Sequence, residues 1–579
     1  MRLNERWGWF LGFTAVFAVL AGFVFWGTWS PDFAPVMPDH PTTYSPYWLR
    51  EWGQGWLKGG MFVPGDLFSC LGGPYVALEL KYVLSVFFAA LGVAYFCRGR
   101  GLSHLASYGA ALLLAFSGYW LTLFSAGHYG WFQWMTYGVF AFGLIDRAVG
   151  KDGKLCHWLL LGACVAWGSF YQPDMWLLFT AFTGVYFIYR LVCERAFPWK
   201  CILLSAVTFA LIAAPSVRNA FVNSLEGRKQ QIAERQTVGS TAKTGDNEAD
   251  DAEKQWIFAT NWSLPADETA EFFCRRLNGD TSCPFTLSIG LKNHNGIKPY
   301  DGALGRPKDA PRGNYRQHSL YVGLVTCLLA LFGVLCGVKG LFVRTGVQSD
   351  NLSIRQSDNR TILFFALAAF VFWLFSLGRN CECVYRLVYA LPFGSYLRAP
   401  VKWHHLTELC LAVLAAYGIE VLTKIRISNL KSQIVTGVVG LIVLIGAIDL
   451  ASVAKLYCAP VNVGPARRTG SSMQMTMLPR QQFQNPQVAA MVRAGKVVSI
   501  ANYMGNPDYF IVGILNRYEE PKPLSDGDVR LPIVLMGVLS LLTTLGVSIY
   551  AGLANLKSSP SPAGVAIALA GRKDHPSLT

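Results

Sequence analysis

The stretch SPDFAPVMPDH, residues 30–40, sets two carboxylates, Asp32 and Asp39, among three prolines directly after an apolar run. Proline fixes φ, so Pro31, Pro35 and Pro38 stiffen the chain that carries both acids. A carboxylate partly shielded from water has a raised pKa and can take a proton from a hydroxyl as a general base. The alternative is a polar, proline-rich turn that only solvates a helix end. Tyr44, Tyr47, Trp48, Trp52 and Trp56 follow, interleaved with Arg50, Glu51, Gln54 and Lys58. Aromatic faces beside hydrogen-bonding groups suit sugar rings, and they equally suit the headgroup belt of a membrane. Asp66 lies in the next run, KGGMFVPGDLFSCLGGPY, too glycine-rich for a helix. Asp32, Asp39 and Asp66 together offer oxygen ligands to a divalent cation, which the sequence permits without requiring.

Three later stretches add polar groups. AFSGYWLTLFSAGHYGWFQW carries His128, Tyr129 and Gln133; SFYQPDMW carries Tyr171, Gln172 and Asp174; RAPVKWHH carries Arg398, Lys402, His404 and His405. Each alone reads as a satisfied surface group. Gathered near a membrane they form a candidate site, because ionisable groups are costly there. The cations suit a phosphate or pyrophosphate, Arg by paired hydrogen bonds and Lys as a point charge.

The elements that must position these groups are membrane helices. The chain has 579 residues, 53% hydrophobic and only 15% charged, where soluble domains average about 25% charged. Its mean hydropathy is +0.33. Runs approaching the ~20 apolar residues that cross a bilayer recur, and they predict twelve spans: 8–28, 80–97, 103–122, 129–147, 156–171, 174–192, 200–216, 318–338, 361–378, 404–423, 433–454 and 531–553. The first follows Arg2 and Arg6 as a signal peptide would. Its apolar part is too long for that and no small-x-small site follows, so it reads as an uncleaved span.

With the N-terminus in the cytoplasm, every inner segment holds at least two basic residues, from Arg2 and Arg6 to Lys557, Arg572 and Lys573. The short outer turns SAGH and YQPD hold none. The net charge of +15 is then the positive-inside bias of a multi-pass protein, and nucleic acid is not needed to explain it.

The chain divides into an N-terminal transmembrane module (1–216) with the first outer loop at 29–79, and a large outer loop (217–317). A second transmembrane module (318–456) follows, with a Pro- and Gly-interrupted interfacial segment at 379–403. A small outer domain (457–530) holds strand-like VVSIANY and DYFIVGIL, and 531–579 make a last helix and a cytoplasmic tail. The polar run after residue 225 predicts a short helix and then a solvated stretch. The fourteen cysteines show no zinc spacing. Cys274 and Cys283 share a loop and could bridge, whereas Cys381 and Cys383 are too close for good bridge geometry.

The order of motifs is familiar. A first span leads to an outer loop with a carboxylate, then a W-x-x-G-G-x-x-x-P stretch ending in LGGPY. GLSHLASYGAALLLAFSGYW, a GH turn, and much later LPFGSYLRAPVKWHHLTELCLAVLAAYGIEVL follow. Over most of residues 1–425 this resembles the YfhO-like bacterial membrane proteins, placed in the GT-C superfamily of polytopic glycosyltransferases. The resemblance implies an all-α, GT-C-like polytopic fold with extracytoplasmic loops in the bacterial inner membrane. It implies a polyprenyl-phosphate-linked sugar as donor, a lipid or envelope glycan as acceptor, and a catalytic acid in the first outer loop. That acid falls on Asp39, with Asp32 as the alternate. His128, Arg398 and Lys402 follow from motif order. Gly65-Asp66 stands where Trp-Asn is expected, which leaves the acceptor-side carboxylate open. The rival readings are a transporter or flippase of lipid-linked or anionic solutes, and a non-catalytic scaffold of envelope assembly.

Overall fold

The computed structural model describes residues 3–27, 33–35, 50, 53–54, 69–118, 134–150, 153–170, 172–195, 197–238, 253, 255–274, 319–342, 356–391, 394, 397–424, 432–457, 460–462, 472–479, 485–494, 496–503, 506–516, 522–523, 525 and 531–558. Its helices begin with α1 (Leu3–Val24), α2 (Ser69–Gly99), α3 (His104–Ala115), α4 (Met135–Val149), α5 (Leu155–Gly168), α6 (Pro173–Glu194) and α7 (Trp199–Val238). They continue with α8 (Leu324–Phe342), α9 (Gln356–Ser376), α10 (Glu382–Tyr389), α11 (His404–Lys424), α12 (Ser432–Tyr457), α13 (Pro486–Arg493) and α14 (Leu531–Ser558).

Each of the twelve expected spans overlaps one of these helices. Eight are long and apolar enough to cross a membrane: α1, α2, α6, α7, α9, α11, α12 and α14. The protein is thus a polytopic membrane protein. The other four are shorter in their apolar part. At ~1.5 Å per residue, the 15 residues of α4 reach about 22 Å, less than the ~30 Å of a hydrocarbon core. α3 and α4 border residues 119–133, which lie outside the described residues. α8 is apolar only over Leu324–Lys339.

Two further expectations meet the structure differently. The polar run after residue 225 continues α7, a 40-residue helix that runs through Pro215, instead of starting a separate short helix. Among the described residues of segment 379–403 the α-helix is α10, eight residues long and so about 12 Å, flanked by 3-10 turns, which fits an interfacial segment. Tyr385 and Val388 are buried there while Leu387 and Leu391 are exposed. Cys283 lies outside the described residues, so a bridge to Cys274 is not tested.

Apolar rows at helical spacing face outward, such as Val185, Ile188 and Val192 on α6 and Leu535, Leu539 and Leu542 on α14. In water these would be liabilities; in a bilayer they are the lipid-facing surface. Inside, aromatic rings lock α4, α6 and α9 together. Phe142 packs on Tyr186 at 5.1 Å, Phe182 on Phe372 at 4.7 Å, and Tyr189 on Phe364 at 4.7 Å. α8 and α11 meet backbone to backbone, because a Cβ on Gly418 would lie 2.0 Å from the Leu329 carbonyl oxygen and one on Gly333 2.5 Å from that of Leu414. Small residues permit such close approach where lipid offers no hydrophobic drive to association.

Charged groups gather at the two ends of the bundle. At one end Arg100 lies 3.0 Å from Asp358 and 3.6 Å from Asp146, and Arg190 lies 2.7 Å from Asp146. The Tyr186 hydroxyl donates to Asp146 at 2.7 Å, and the Ser103 amide donates to Glu420 at 2.7 Å. At the other end Lys402 pairs with Asp174, Ser117 donates to Glu408, and Tyr321 donates to Asp449. Every one of these contacts joins helix ends that the alternating topology assigns to the same side.

The Lys402 end also carries β-structure. β1 (Phe33–Pro35) pairs antiparallel with β2 (Pro460–Asn462), Ala34 opposite Val461. β3 (Ser472–Pro479), β4 (Val497–Tyr503) and β5 (Asn506–Asn516) form an antiparallel sheet in the order β3-β5-β4. The strand-like sequences VVSIANY and DYFIVGIL fall on β4 and β5.

Gly418→Ala should force α8 and α11 apart. Overpacking of this kind costs about 1–3 kcal/mol, so the melting temperature of the detergent-solubilised protein should fall by several degrees, measured beside Gly437→Ala, where a Cβ meets open space.

Candidate functional site

The Lys402 end is built on a strained turn. After α10 the chain reaches Ala399 at φ +63°, then Pro400–Trp403 wind one 3-10 turn into α11. Trp262, from the large loop, has φ +65°, and its carbonyl accepts from the Val401 amide at 3.1 Å. Gly378, at φ +51°, leaves no room for a side chain: a Cβ would lie 2.1 Å from Ser263 Oγ and 2.6 Å from Pro400 Cγ. Three residues with positive φ, two of them not glycine, thus meet around the turn that carries Lys402. Left-handed backbone costs a non-glycine residue about 1–3 kcal/mol and persists only where the surroundings over-determine it.

Packing supplies that over-determination. The Leu264 amide donates to Ser376 O at 2.8 Å, and the Arg379 amide donates to Ser263 Oγ at 3.0 Å. Asn380 Nδ2 donates to Leu264 O at 2.8 Å, and Trp373 Nε1 to Thr269 Oγ1 at 3.0 Å. The large loop is therefore stitched to the end of α9, and Trp403 packs on Phe375 and Phe372 at 5.0 and 5.6 Å.

α6 brings the opposing acid. Gln172 stands at the N-cap position without a side-chain cap bond, Pro173 occupies the first turn, and Asp174 follows. Pro is well suited to that position because its missing N–H would be unpaired there anyway. Asp174 Oδ1 accepts from the Met175 amide at 2.8 Å, and Oδ2 accepts from Lys402 Nζ. The Lys402 side chain is only 6% exposed and that of Asp174 20%, so the pair is a mostly buried clamp between the starts of α6 and α11.

Below it, inside α11, lies a second polar group. His404, His405 and Glu408 are all buried; Glu408 Oε2 is 3.7 Å from His405 Nδ1, and Oε1 is 4.0 Å from His404 Nε2. Glu408 accepts from the Ser117 hydroxyl at the end of α3. The His404 ring packs on Phe272 at 4.2 Å. Arg398 differs from all of these. It is exposed, rests over the Phe258 ring at 4.5 Å, and has no acidic partner among the described residues.

The structure therefore brings together Gln172, Lys402 and His404 of the sequence-predicted set, with Asp174 and Glu408 added, and sets Arg398 four residues before Lys402 on the turn leading to them. Asp32, Asp39, Trp48, Trp52, Asp66, His128 and Tyr129 lie outside the described residues. β1 occupies the chain between Asp32 and Asp39, so both acids flank a strand anchored at β2. Among the described residues no group of three His, Cys, Asp or Glu side chains could hold a metal ion. The sequence reading missed Glu408, although HHLTE at i, i+3 and i+4 spacing puts both histidines on the glutamate's side of a helix.

No family model matches the chain, and no curated protein matches it. Two solved structures overlap with it. One is ArnT from Cupriavidus metallidurans bound to undecaprenyl phosphate, 12% identical, with a TM-score of 0.31 over 87% of this chain and 98% of that one. The other is the same protein in its apo state, 11% identical, with a TM-score of 0.22 over 88% and 98%. Overlaps of that size do not establish a shared fold.

Removing one partner of a buried ion pair strands the other, at a cost of about 3–5 kcal/mol. Asp174→Asn and Lys402→Met should each sit near 3 kcal/mol, at the low end of that range because Asp174 keeps some contact with water. The double variant should recover part of the loss. Thermal unfolding of the four proteins checks this, and strict additivity of the two single effects would sink the clamp.

Proposed function

We propose that the protein is a membrane glycosyltransferase that moves a sugar from a polyprenyl-phosphate-linked donor to a lipid or envelope-glycan acceptor. The reaction takes place at the Lys402 end, which faces away from the cytoplasm, with both termini on the cytoplasmic side of a bacterial inner membrane. The observation that carries this reading is the pairing of β1 with β2. It holds Phe33–Pro35 at the same end as Gln172, Arg398, Lys402 and His404, and the sequence sets Asp32 directly before that strand and Asp39 four residues after it, which supports the reading. The motif order of the sequence supports the same assignment.

In this reading Asp39 is the general base, with Asp32 as the alternate. The base takes the proton of the acceptor hydroxyl as its oxygen attacks the anomeric carbon. The bond from that carbon to the phosphate oxygen breaks, and polyprenyl phosphate leaves with the electron pair. Arg398 is placed to meet the charge on the departing phosphate, since it is exposed and lies over a ring, away from any described acid. A guanidinium can grip phosphate oxygens in pairs. Lys402, spoken for by Asp174, contributes mainly by holding the turn in place. Trp48 and Trp52 are assigned to sugar faces, and Asp66, His128 and Tyr129 to the remaining polar contacts. Positioning and electrostatics would supply most of the barrier reduction.

A second reading, proton-coupled transport, draws on one observation. His404, His405 and Glu408 lie buried within a helix able to cross the membrane, where ionisable groups commonly mark ion or substrate paths.

The deciding assay measures free polyprenyl phosphate released from a panel of lipid-linked sugars by protein in nanodiscs. A general base is worth about 10²–10⁴ in rate, so Asp39→Asn should lose that much with its melting temperature unchanged. No release from any donor, with solute uptake in proteoliposomes abolished by Glu408→Gln, would favour the transporter.

A further inference from the structure

α1 and α12 meet along a seam that is hollow at both ends. Near the Lys402 end a hollow of ≈ 440 Å³ is lined by Ala18, Val19, Gly22, Phe23 and Trp26 from α1 and the turn after it, and by Lys455 from α12. Toward the opposite end a hollow of ≈ 540 Å³ is lined by Gly8, Trp9, Gly12, Gly440 and Val443, with α3 as a third wall. Both lie within the size range of ligand pockets, about 300–1,000 Å³. Both border outward-facing apolar residues, Val19, Phe23 and Trp26 at the first and Trp9 and Leu444 at the second, the kind of surface that lipid covers in a bilayer.

Lys455 gives the first hollow a charge. It stands in the last turn of α12, where a cation also complements the helix end. That role needs no cavity and no aromatic wall. Lys455 has both: its Nζ lies 3.9 Å from the centre of the Phe23 ring, and no acid among the described residues pairs with it. A cation at the edge of an apolar furrow, at the depth of a lipid headgroup, matches an anionic headgroup whose tail follows the furrow.

The seam's length says which tail. From Phe23 back to Gly8, α1 advances fifteen residues, or ~22 Å at 1.5 Å each. One leaflet of the hydrocarbon core is about 15 Å, half of ~30 Å. An acyl chain of a phospholipid held at Lys455 would fill the nearer hollow and stop short of the second, whereas a longer isoprenoid chain reaches it. Glycines keep both hollows deep. A Cβ on Gly8, Gly12 or Gly22 would meet nothing within 4 Å, so no close helix contact requires them, although each costs a helix about 0.5–1 kcal/mol relative to alanine. The headgroup end of the seam adjoins the β1–β2 ribbon, since β2 begins three residues after α12 ends and β1 follows α1.

We infer that the seam between α1 and α12 is the docking groove of a polyprenyl-phosphate lipid, with the phosphate on Lys455 and the isoprenoid tail running through both hollows toward Gly8. This rests on the lipid-linked donor reading of the preceding section and assigns the donor its route to the loop that carries Asp32 and Asp39.

The test titrates full-length protein in phosphatidylcholine nanodiscs with a long polyprenyl phosphate, farnesyl phosphate or phosphatidylglycerol, and reads retained lipid by native mass spectrometry. Lys455→Gln removes a charge-assisted contact, which should weaken both isoprenyl phosphates about tenfold, and Lys455→Arg should retain them. Gly22→Leu, which fills the nearer hollow, should weaken both as well. Gly12→Leu, which fills the farther one, should weaken only the long lipid. Phosphatidylglycerol should bind less tightly than the long polyprenyl phosphate. Retention unaffected by Lys455→Gln, indifference of the long lipid to Gly12→Leu, or equal binding of phosphatidylglycerol would each overturn the groove. Donor turnover separates this from the transferase reading. Binding as stated without release of polyprenyl phosphate from any donor sinks the transferase and leaves the groove. Release with an unchanged donor KM in Lys455→Gln sinks the groove and leaves the transferase.

Discussion

Charge cannot be left unpaired in hydrocarbon, and that constraint sets most of this architecture. Lipid tails are as apolar as the leucines that face them, so burial alone does not tell a membrane helix which neighbour to choose or at what depth to sit. In this bundle those choices fall to shape and to ion pairs. Arg190–Asp146 at one end and Lys402–Asp174 at the other pin α6 at both of its ends, while Arg100–Asp358 ties the end of α2 to α9. Asp146 accepts from Tyr186 and is ion-paired with Arg190, both on α6, while it also attracts Arg100 from beyond α2. A helix held by charge at both ends has its rotation and its depth fixed. The aromatic contacts between them can then be specific.

The same constraint shapes the candidate site. A lysine that is 6% exposed needs its acid, so Asp174 and Lys402 bring the starts of two spans together whatever else happens there. The backbone bends to allow it, with Trp262, Gly378 and Ala399 all at positive φ within one packed knot. Strain of this kind marks places where a particular side-chain position matters more than local comfort. Here the position fixed is that of the turn Arg398-Ala-Pro-Val-Lys402.

How far the sequence foretold this depends on the distance over which each feature is decided. Spans are local: an apolar run must be a helix in lipid, and each of the twelve expected runs holds a helix among its described residues. Strands β4 and β5 are local too, carried by β-branched and aromatic residues. The shortness of α5 is not local. Its 14 residues end at a turn set by the packing of Ser169 and Phe170, and hydropathy cannot see that. Nor is the fusion of the polar run to α7, since its residues suit a helix equally well alone or as an extension. The pairings that hold the bundle were invisible for a different reason. Arg100 and Asp358 are separated by 258 positions, and each reads in sequence as one more charge beside a span. Glu408 was legible and missed, because sorting charges to span ends passes over one placed a turn inside α11. Of the candidate acids, Asp39 and Asp32 remain readings of the sequence, tied to the structure through the strand between them.

The cations at the Lys402 end divide into two kinds, and the division bears on what the protein binds. Arg386 is paired with Glu382, and Lys402 with Asp174. Arg398 and Lys455 rest on aromatic rings, Phe258 and Phe23, with no acid beside them among the described residues. A ring face stabilises a cation by about 0.5–2 kcal/mol and leaves its formal charge uncompensated. Among the described residues two cations on that side are thus left open, one on the turn of the candidate site and one at the head of a furrow in the lipid-facing wall. A soluble anion would need only the first. In the proposed reaction a lipid that carries a phosphate would use both in succession, the furrow to leave the bilayer and the turn to be held for reaction. That succession gives the two open charges a common reason to exist.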